Sequence, residues 1–470
     1  MSYPEATPTL LLPDLPPKTL VGIDLITFKS TPNFHGIRAI PPGWHFVYSG
    51  TTEGLSLRVG GWFFIEGPGR GHNEDATRAV AVKGSGRDIL VWRWDRDTEC
   101  LELLGEERRT EGMRYRANVG GVWSGGGLFG YRSRVSEGIL QRSGGTGAGG
   151  DEWGMDEEEE EGRREWGALT EWLSEELLSR IAGEPEVDWE GRSRWVVTSG
   201  STARRDDDDI PGLDGDGSAA SNTKSEGEVL VASGVQGGPA DNKEREFSFL
   251  PVELKMTWRE GAIGRERTEA ARDRSWALGE VIRSVSSSHS DDAQGEAQVL
   301  GELQFTFLMG LTLMNYSCLQ QWKRLLRLIL TCRRAIVDRP SFMAAVLRLF
   351  LLQLKRCDDV EGGLFDQLGA ERGAEGSEFI RKLLRAFRTA LYEVLEDVEA
   401  PSPVKTEFER LEAWVKSEYD WELNRNAVLR KGMLQLEDGE EVEMEMVDHE
   451  EEEEYAPVIV DLDSADKELQ

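Results

Sequence analysis

The chain has 470 residues, with 55 Lys and Arg against 87 Asp and Glu, a formal net charge of −32. The acidic excess argues against phosphate-backbone binding, which needs clustered Lys and Arg. The four cysteines, Cys100, Cys318, Cys332 and Cys357, form no CxxC pair, and at this length they point to a reducing compartment rather than a disulfide framework. The charge is uneven: residues 1–135 carry net +1, 136–250 net −17, 251–434 net −1 and 435–470 net −15. Two near-neutral blocks, one acidic segment between them and another after them read as two folded domains, a solvated linker and a tail.

In chain order, MSYPEATPTLLLPDLPPKTL lacks a basic n-region, and its apolar run is only Leu10 to Leu12, so it does not read as a signal peptide. Residues 15–135 have mostly the pattern of strands. LVGIDLITF alternates Val21, Ile23 and Leu25 on one face. WHFVY puts Trp44, Phe46 and Tyr48 on one face, with His45 and Val47 on the other. GWFFIEG is a short apolar run between glycines. ILVWRWDRDTECLELL predicts a hairpin in which Leu90, Trp92 and Trp94 alternate and DRDT turns. Residues 136–165, rich in Gly, Ser and Glu, predict a loop. Trp166, Leu169, Leu173, Leu177 and Ile181 recur at helical spacing and predict a single helix over 166–183, stopped by Gly183 and Pro185 and associated with the β-rich domain. Residues 198–246 lack the apolar content to offset ordering entropy and predict a disordered acidic linker.

Residues 251–430 predict a helical domain. TEAARDRSWALGEVI gives one helix, closed by SVSSSHSDDAQGE, and AQVLGELQFTFLMGLTLM gives a second. SCLQ, Ser317 to Gln320, reads as a capping box opening a third, lined by Leu319, Trp322, Leu326 and Ile329. Pro340 with Phe342, Val346, Phe350 and Leu354 defines a fourth. Ile380, Leu383, Phe387, Leu391, Val394 and Val398 define a fifth. Ser402 as cap and Pro403 at N1 open a sixth, lined by Val404, Phe408, Leu411 and Val415. Leu303 to Trp322 holds no charge over a length of about one membrane span. Gln304, Asn315, Ser317, Gln320 and Gln321 interrupt it, so no span is expected. The expected fold class is α+β multidomain: an antiparallel β-rich N-terminal domain, an all-α C-terminal domain, and an acidic disordered linker and tail, the tail over 435–470.

His45 is the sharpest candidate for chemistry. A catalytic His needs a nucleophile or carboxylate partner, and a metal site needs several ligands. No spacing supplies either, and His35, His72, His289 and His449 are scattered, so His45 reads as a strand residue hydrogen-bonded near a turn. GGGLFG, Gly125 to Gly130, formally matches GxGxxG but lacks the strand-before, helix-after setting of a dinucleotide site. The three cysteines of the helical region read as small core residues. The runs DEEEEE and HEEEEE read as solvated, and the NYS sequon at Asn315 lies between helices. No catalytic, cofactor or metal residue is assigned, and no enzyme is expected. In the tail, YAPVIVDLDS alternates Val458, Val460 and Leu462 with Ile459 between them, after Pro457 at a position a strand tolerates. Segment 455–462 reads as a strand suited to adding onto a partner's sheet edge.

Several stretches together resemble the Aar-two splicing factors, the assembly factors of the U5 snRNP. GIDLITFKSTPNFHGIRAIPPGWHFVYSG is similar to that family's N-terminal signature, through Gly22, Ile23 and Asp24, Phe34 and Gly36, then Ile40, Pro41, Pro42, Gly43, His45 and Phe46. VLGELQFTFLMGL and LQQWKRLLRLIL resemble its helical signature, through Gly301, Glu302, Leu303, Gln304, Phe305, Phe307, Trp322 and Lys323. YDWEL and YAPVIVDL are similar to its ending. Segments 136–165 and 198–246 fall outside the resemblance and look like lineage-specific insertions.

The resemblance implies a β-rich N-terminal domain, an α-helical C-terminal domain, and a binding role without catalytic residues or cofactor. The family holds the large U5 scaffold protein through that protein's RNase H-like and JAMM/MPN-like domains, in cytoplasm and nucleus, and keeps the U5 helicase off until the particle is ready. The tail residues Pro457, Val458, Ile459, Val460 and Leu462 are the expected partner-binding strand; the signature residues are expected to be structural. No membrane and no sequence-specific nucleic acid is expected. The alternative is a general acidic chaperone or adaptor for basic nuclear proteins. Ser284 to Asp292, SVSSSHSDD, is a candidate phosphorylation site for release.

Overall fold

The computed structural model describes residues 7–50, 57–67, 89–133, 152–203, 246–286, 292–357, 376–396, 401–423, 430–435 and 441–446. In chain order the elements are β1 (Thr9–Leu11), β2 (Leu20–Ile23), β3 (Ile26–Lys29), β4 (Gly36–Arg38), β5 (Gly43–Gly50), β6 (Val59–Ile65), β7 (Ile89–Asp95), β8 (Cys100–Leu103), α1 (Arg109–Ser124), β9 (Leu128–Gly130), α2 (Glu152–Leu169), α3 (Glu175–Ala182), β10 (Glu186–Val187) and β11 (Ser193–Thr198). There follow α4 (Gly264–Arg272), α5 (Ser275–Ser284), α6 (Asp292–Leu313), α7 (Tyr316–Ile329), α8 (Ala335–Asp338), α9 (Pro340–Leu354), α10 (Gly376–Leu395), α11 (Pro403–Tyr419), β12 (Arg430–Gln435) and β13 (Glu441–Met446). The chain divides into two compact units. One holds Met1–Leu250, Ser290–Lys323 and Leu352–Leu364; the other holds Pro251–His289, Arg324–Leu351 and Phe365–Gln470. Helix α6 therefore packs with the sheets.

The first unit is built on two facing sheets, ordered β8-β7-β1-β4-β9 and β10-β11-β6-β5-β2-β3. The six-stranded sheet is antiparallel throughout. The five-stranded one is mixed, with β1 parallel to β7 and β4 parallel to β9. Parallel neighbours need a crossover, and between β1 and β7 the chain builds most of the other sheet. Leu10, Leu12, Ile37, Leu90, Trp92 and Trp94 meet Val21, Ile23, Val47, Phe63 and Ile65 between the sheets. Each such side chain contributes about 1.5–3 kcal/mol by leaving water. At Gly61 a Cβ would lie 2.0 Å from the Trp92 ring, so the indole rests on bare backbone. Helix α1 covers the outer face of the five-stranded sheet, through Tyr115, Val119 and Val122 over Leu11, Ile89, Val91 and Leu128. On the outer face of the other sheet, Trp62 stacks on Trp166 of α2 and meets Phe305 of α6.

The alternation of β5 and the β7–β8 hairpin match the sequence reading, with Asp95 opposite Cys100. Four expectations in this unit are corrected. Val21 to Leu25 is not one strand: Ile23 pairs Ile26 across a turn in which Asp24 has φ 56°. Residues 109–124 form α1 rather than strand; the packed positions Gly112, Tyr115, Val119 and Val122 are helically spaced but only weakly apolar. Residues 136–165 are not all loop, because α2 starts at Glu152. Its acid run is held by Gly162, Trp166 and Leu169, and Glu159 accepts the Ser133 N–H at 2.8 Å. The single helix over 166–183 is two, since Ser174 caps α3 by accepting the Leu177 N–H at 3.1 Å.

In the helical region the expected first helix is broken between α4 and α5. Asp273 ends α4, and its carboxylate accepts the amides of Ser275 at 3.1 Å and Arg333 at 2.9 Å. Helix α7 starts at Tyr316, not at a Ser317 capping box: Asn315 Oδ1 accepts the Cys318 N–H at 2.9 Å. Ser402 takes the N-cap position of α11 and Pro403 opens the helix as expected, although the Ser402 side chain makes no cap hydrogen bond; Phe387 of α10 meets Phe408 of α11. Most of linker 198–246, its residues 204–245, lies outside the described residues, as do the tail strand 455–462 and part of the Ser284–Asp292 run. Residues 198–203 are ordered by the fold: Phe247 N–H donates to Thr202 C=O at 2.8 Å, and Ala203 bridges Phe247. Strands β12 and β13 form a hairpin that periodicity did not suggest.

Candidate functional site

Two buried polar constellations in the first unit hold the residues singled out above. The first is centred on Asp24. Its carboxylate accepts the Phe46 N–H at 2.9 Å through Oδ1 and the Tyr131 hydroxyl at 2.6 Å through Oδ2. Oδ2 also lies 2.7 Å from His45 Nδ1, and His45 Nε2 lies 2.8 Å from the Pro41 carbonyl. A carbonyl can only accept, so Nε2 carries hydrogen and donates, while Nδ1 and Asp24 share a proton across their contact. His45 and Asp24 are each about 1% exposed. Burial pushes the Tyr131 hydroxyl up, and the charge of Asp24 adds to that.

A His–carboxylate pair is half of a hydrolytic triad, but here the other imidazole nitrogen is already bonded to backbone. The Tyr131 hydroxyl bonds Asp24 rather than His45. The arrangement pins the β2–β3 turn, the Pro41–Phe46 run and the segment after β9 to one carboxylate.

The second constellation lies on α6 and α7. Fully buried Glu302 takes Arg180 at 2.8 Å, the Leu250 N–H at 2.9 Å and Gln321 Nε2 at 2.8 Å. Burial raises its carboxyl above the usual range, against the lowering effect of Arg180 and the hydrogen bonds. Gln304 reads the backbone where α2 ends: Nε2 donates to Ala168 C=O at 2.9 Å and Oε1 accepts the Trp172 N–H at 2.8 Å. Asn315 Nδ2 lies within 3.2 Å of the carbonyls of Thr198, Ser199 and Ser201, so the sequon nitrogen is engaged inside the fold. Trp322 Nε1 donates to Gln353 Oε1 at 2.9 Å, and Gln353 Nε2 donates to the Leu303 carbonyl at 3.1 Å.

Asp24, Pro41, His45 and Phe46 thus come together, as do Glu302, Leu303, Gln304, Phe305 and Trp322. Trp62 joins the two groups, 4.9 Å from the Phe46 ring and 6.4 Å from Phe305. Gly22 lies opposite Tyr48 in β2, and Gly36 opens β4. Phe34 is buried against Phe28 and Phe129; Pro42 precedes Gly43, which starts β5; Lys323 is half-buried on α7. Pro457, Val458, Ile459, Val460 and Leu462 lie outside the described residues. GGGLFG is a helix-to-strand turn, the reverse of a dinucleotide loop. Among the described residues no group of three or more His, Cys, Asp or Glu is placed to hold a metal, and no helix is long and apolar enough to cross a membrane.

Residues 6–183 match the family model described as AAR2 N-terminal domain, and residues 249–424 match the AAR2 C-terminal repeat region. The chain belongs to the AAR2 family. It is 23% identical over 421 residues to the human Protein AAR2 homolog, covering 88% of this chain and 89% of the relative. It is 22% identical to the homolog of Macaca fascicularis over 419 residues, with the same coverage, and 24% identical to that of mouse over 348 residues, covering 74% of this chain and 75% of the relative. In this AAR2-family chain Glu302 and Gln304 lie in the C-terminal match, yet they hold Arg180, Ala168 and Trp172 of the N-terminal match. Tyr131, Arg180, Gln321 and the capping role of Asn315 escaped the sequence reading. The first three bond residues remote in the chain, which no local spacing reports; Asn315 caps Cys318 only three residues on, a signal the sequence did carry.

Proposed function

We propose that this chain is a non-enzymatic assembly factor of the U5 snRNP in pre-mRNA splicing. It binds the large U5 scaffold protein through that protein's RNase H-like and JAMM/MPN-like domains, and keeps the U5 helicase from binding early. The observation that carries the reading is the pair of AAR2 family matches, in order, over residues 6–183 and 249–424. His45, spent on Asp24 and Pro41, supports a role without catalysis. The tail segment Pro457–Leu462 adds as a strand to a sheet edge of the partner, and the chain works in cytoplasm and nucleus.

The test is a pull-down with the tagged full chain from cytoplasmic and nuclear extracts, read by mass spectrometry. The U5 scaffold protein is expected as the main specific partner, weakened when 455–462 is deleted. Its absence from both extracts overturns the proposal. The acidic-chaperone reading is separated by deleting 204–245, which spares α2 and the 198–203 segment. Scaffold binding that survives the deletion supports the specific reading; binding that instead tracks cargo basicity and salt overturns it.

A further inference from the structure

The GGGLFG stretch ends in an open sheet edge. β9 is the last strand of its sheet, and among the described residues no strand pairs its outer side. It runs parallel to β4, with Gly36 opposite Leu128, Ile37 opposite Phe129 and Arg38 opposite Gly130. The Gly127 carbonyl accepts from His35 N–H, and Tyr131 N–H donates to the Arg38 carbonyl, both at 2.8 Å. Alternation along the strand then turns the amides of Leu128 and Gly130 outward. Native edges are usually blunted by charge, proline or a bulge, and Leu128-Phe129-Gly130 offers no charge and no proline. Nor does the fold require glycine at 130: it holds no positive φ, and a Cβ there would meet nothing within 4 Å. A bare strand residue of this kind marks a place where another backbone comes close.

The surroundings specify what comes close. Leu128 packs on the α1 side of the sheet, so Gly130 and its neighbour Arg38 share that side and Phe129 faces the other. The Arg38 guanidinium lies 4.3 Å over the Trp123 ring, and among the described residues it has no carboxylate partner. Trp123 is 37% exposed and Phe129 41%. Arg38 itself is half-buried. Trp and Arg are among the residue types that dominate binding energy at interfaces, and Phe is enriched there.

We propose that β9 is a strand-addition site for an extended segment of a partner protein in which apolar and acidic residues alternate. The added strand pairs with the outward amides of Leu128 and Gly130. Its apolar residues lie on the Phe129 side, and its acidic residue lies beside bare Gly130, where a carboxylate reaches Arg38. A second copy is a poor occupant: two three-residue edges bury little of the about 1,200–2,000 Å² that a stable interface needs.

The test is fluorescence anisotropy of the full chain with a short labelled peptide alternating valine and aspartate, against the same peptide with lysine for aspartate. The aspartate peptide is expected to bind about fivefold or more tighter, the scale of one favourable exposed ion pair. Arg38→Glu reverses the preference, and Arg38→Gln, which keeps a planar group over Trp123, abolishes it. Phe129→Ser weakens both peptides. Equal binding of the two peptides to the wild-type chain and to Arg38→Glu overturns the proposal. Peptide binding seen only after residues 455–470 are removed, or self-association abolished by Phe129→Ser, assigns the edge to another occupant and also overturns it.

Discussion

Asp24 is the most exacting place to perturb the β-rich unit. Substitution to glycine removes the carboxylate without backbone strain, because position 24 sits at φ 56°. Three polar groups then lose their partner: the Phe46 amide, His45 Nδ1 and the Tyr131 hydroxyl, at 2.9, 2.7 and 2.6 Å. Each buried polar group left unpaired costs about 1–3 kcal/mol, so Asp24→Gly costs about 3–9 kcal/mol, against about 5–15 for a whole domain. The sharper test is a cycle with Tyr131→Phe. Alone, that change removes a hydrogen bond to a charged group and costs about 1.5–3 kcal/mol. In the Asp24→Gly background it deletes a donor that already lacks a partner, so its cost falls to about zero or becomes a gain. Urea unfolding followed by tryptophan fluorescence, with unchanged slope, reads all four corners. If the two changes add within about 0.5 kcal/mol, Asp24 is not the hub described here.

Gln304→Leu keeps the bulk of the side chain but orphans the Ala168 carbonyl and the Trp172 amide; it should cost about 2–4 kcal/mol and speed hydrogen exchange at Trp172, and unchanged exchange there would refute the anchor. The carboxyl of Glu302 is raised in the fold, so the native state holds its proton more tightly and this group's contribution to stability falls as pH rises through the carboxylate range. Glu302→Gln lacks that titration, so its stability relative to wild type should climb with pH in urea melts; a flat or falling difference contradicts the assignment. Cys318, Cys332 and Cys357 are buried and Cys100 is half-buried, so a maleimide should label one thiol in the native chain and four after unfolding. A second thiol reacting as fast as Cys100 would refute that packing.

Strand periodicity was readable where size alternates as well as polarity. In β5, Phe46 and Tyr48 face one layer and Val47 the other, and the pattern survives although every position from His45 to Gly50 is buried. Helix α1 was hidden because its contact stripe begins at a glycine, Gly112, and continues through half-buried Tyr115, Val119 and Val122. Helix α2 was hidden by its own charge, since the acid run looks solvated and the anchoring Trp166 and Leu169 come only in its last turns. The signature residues could be located in the sequence, but not what they touch. Tyr131 lies 107 positions from Asp24, and Arg180 lies 122 from Glu302. Only the folded sheets bring such pairs into reach.

The proposed function places this chain on the U5 scaffold protein at the expense of the helicase. The direct measurement is a competition on an immobilised scaffold fragment holding the RNase H-like and JAMM/MPN-like domains, with helicase capture followed as the full chain is titrated in. Helicase capture should fall as the chain binds, and recover when the chain lacks residues 455–462. Undiminished helicase capture on a scaffold saturated with this chain would contradict the account.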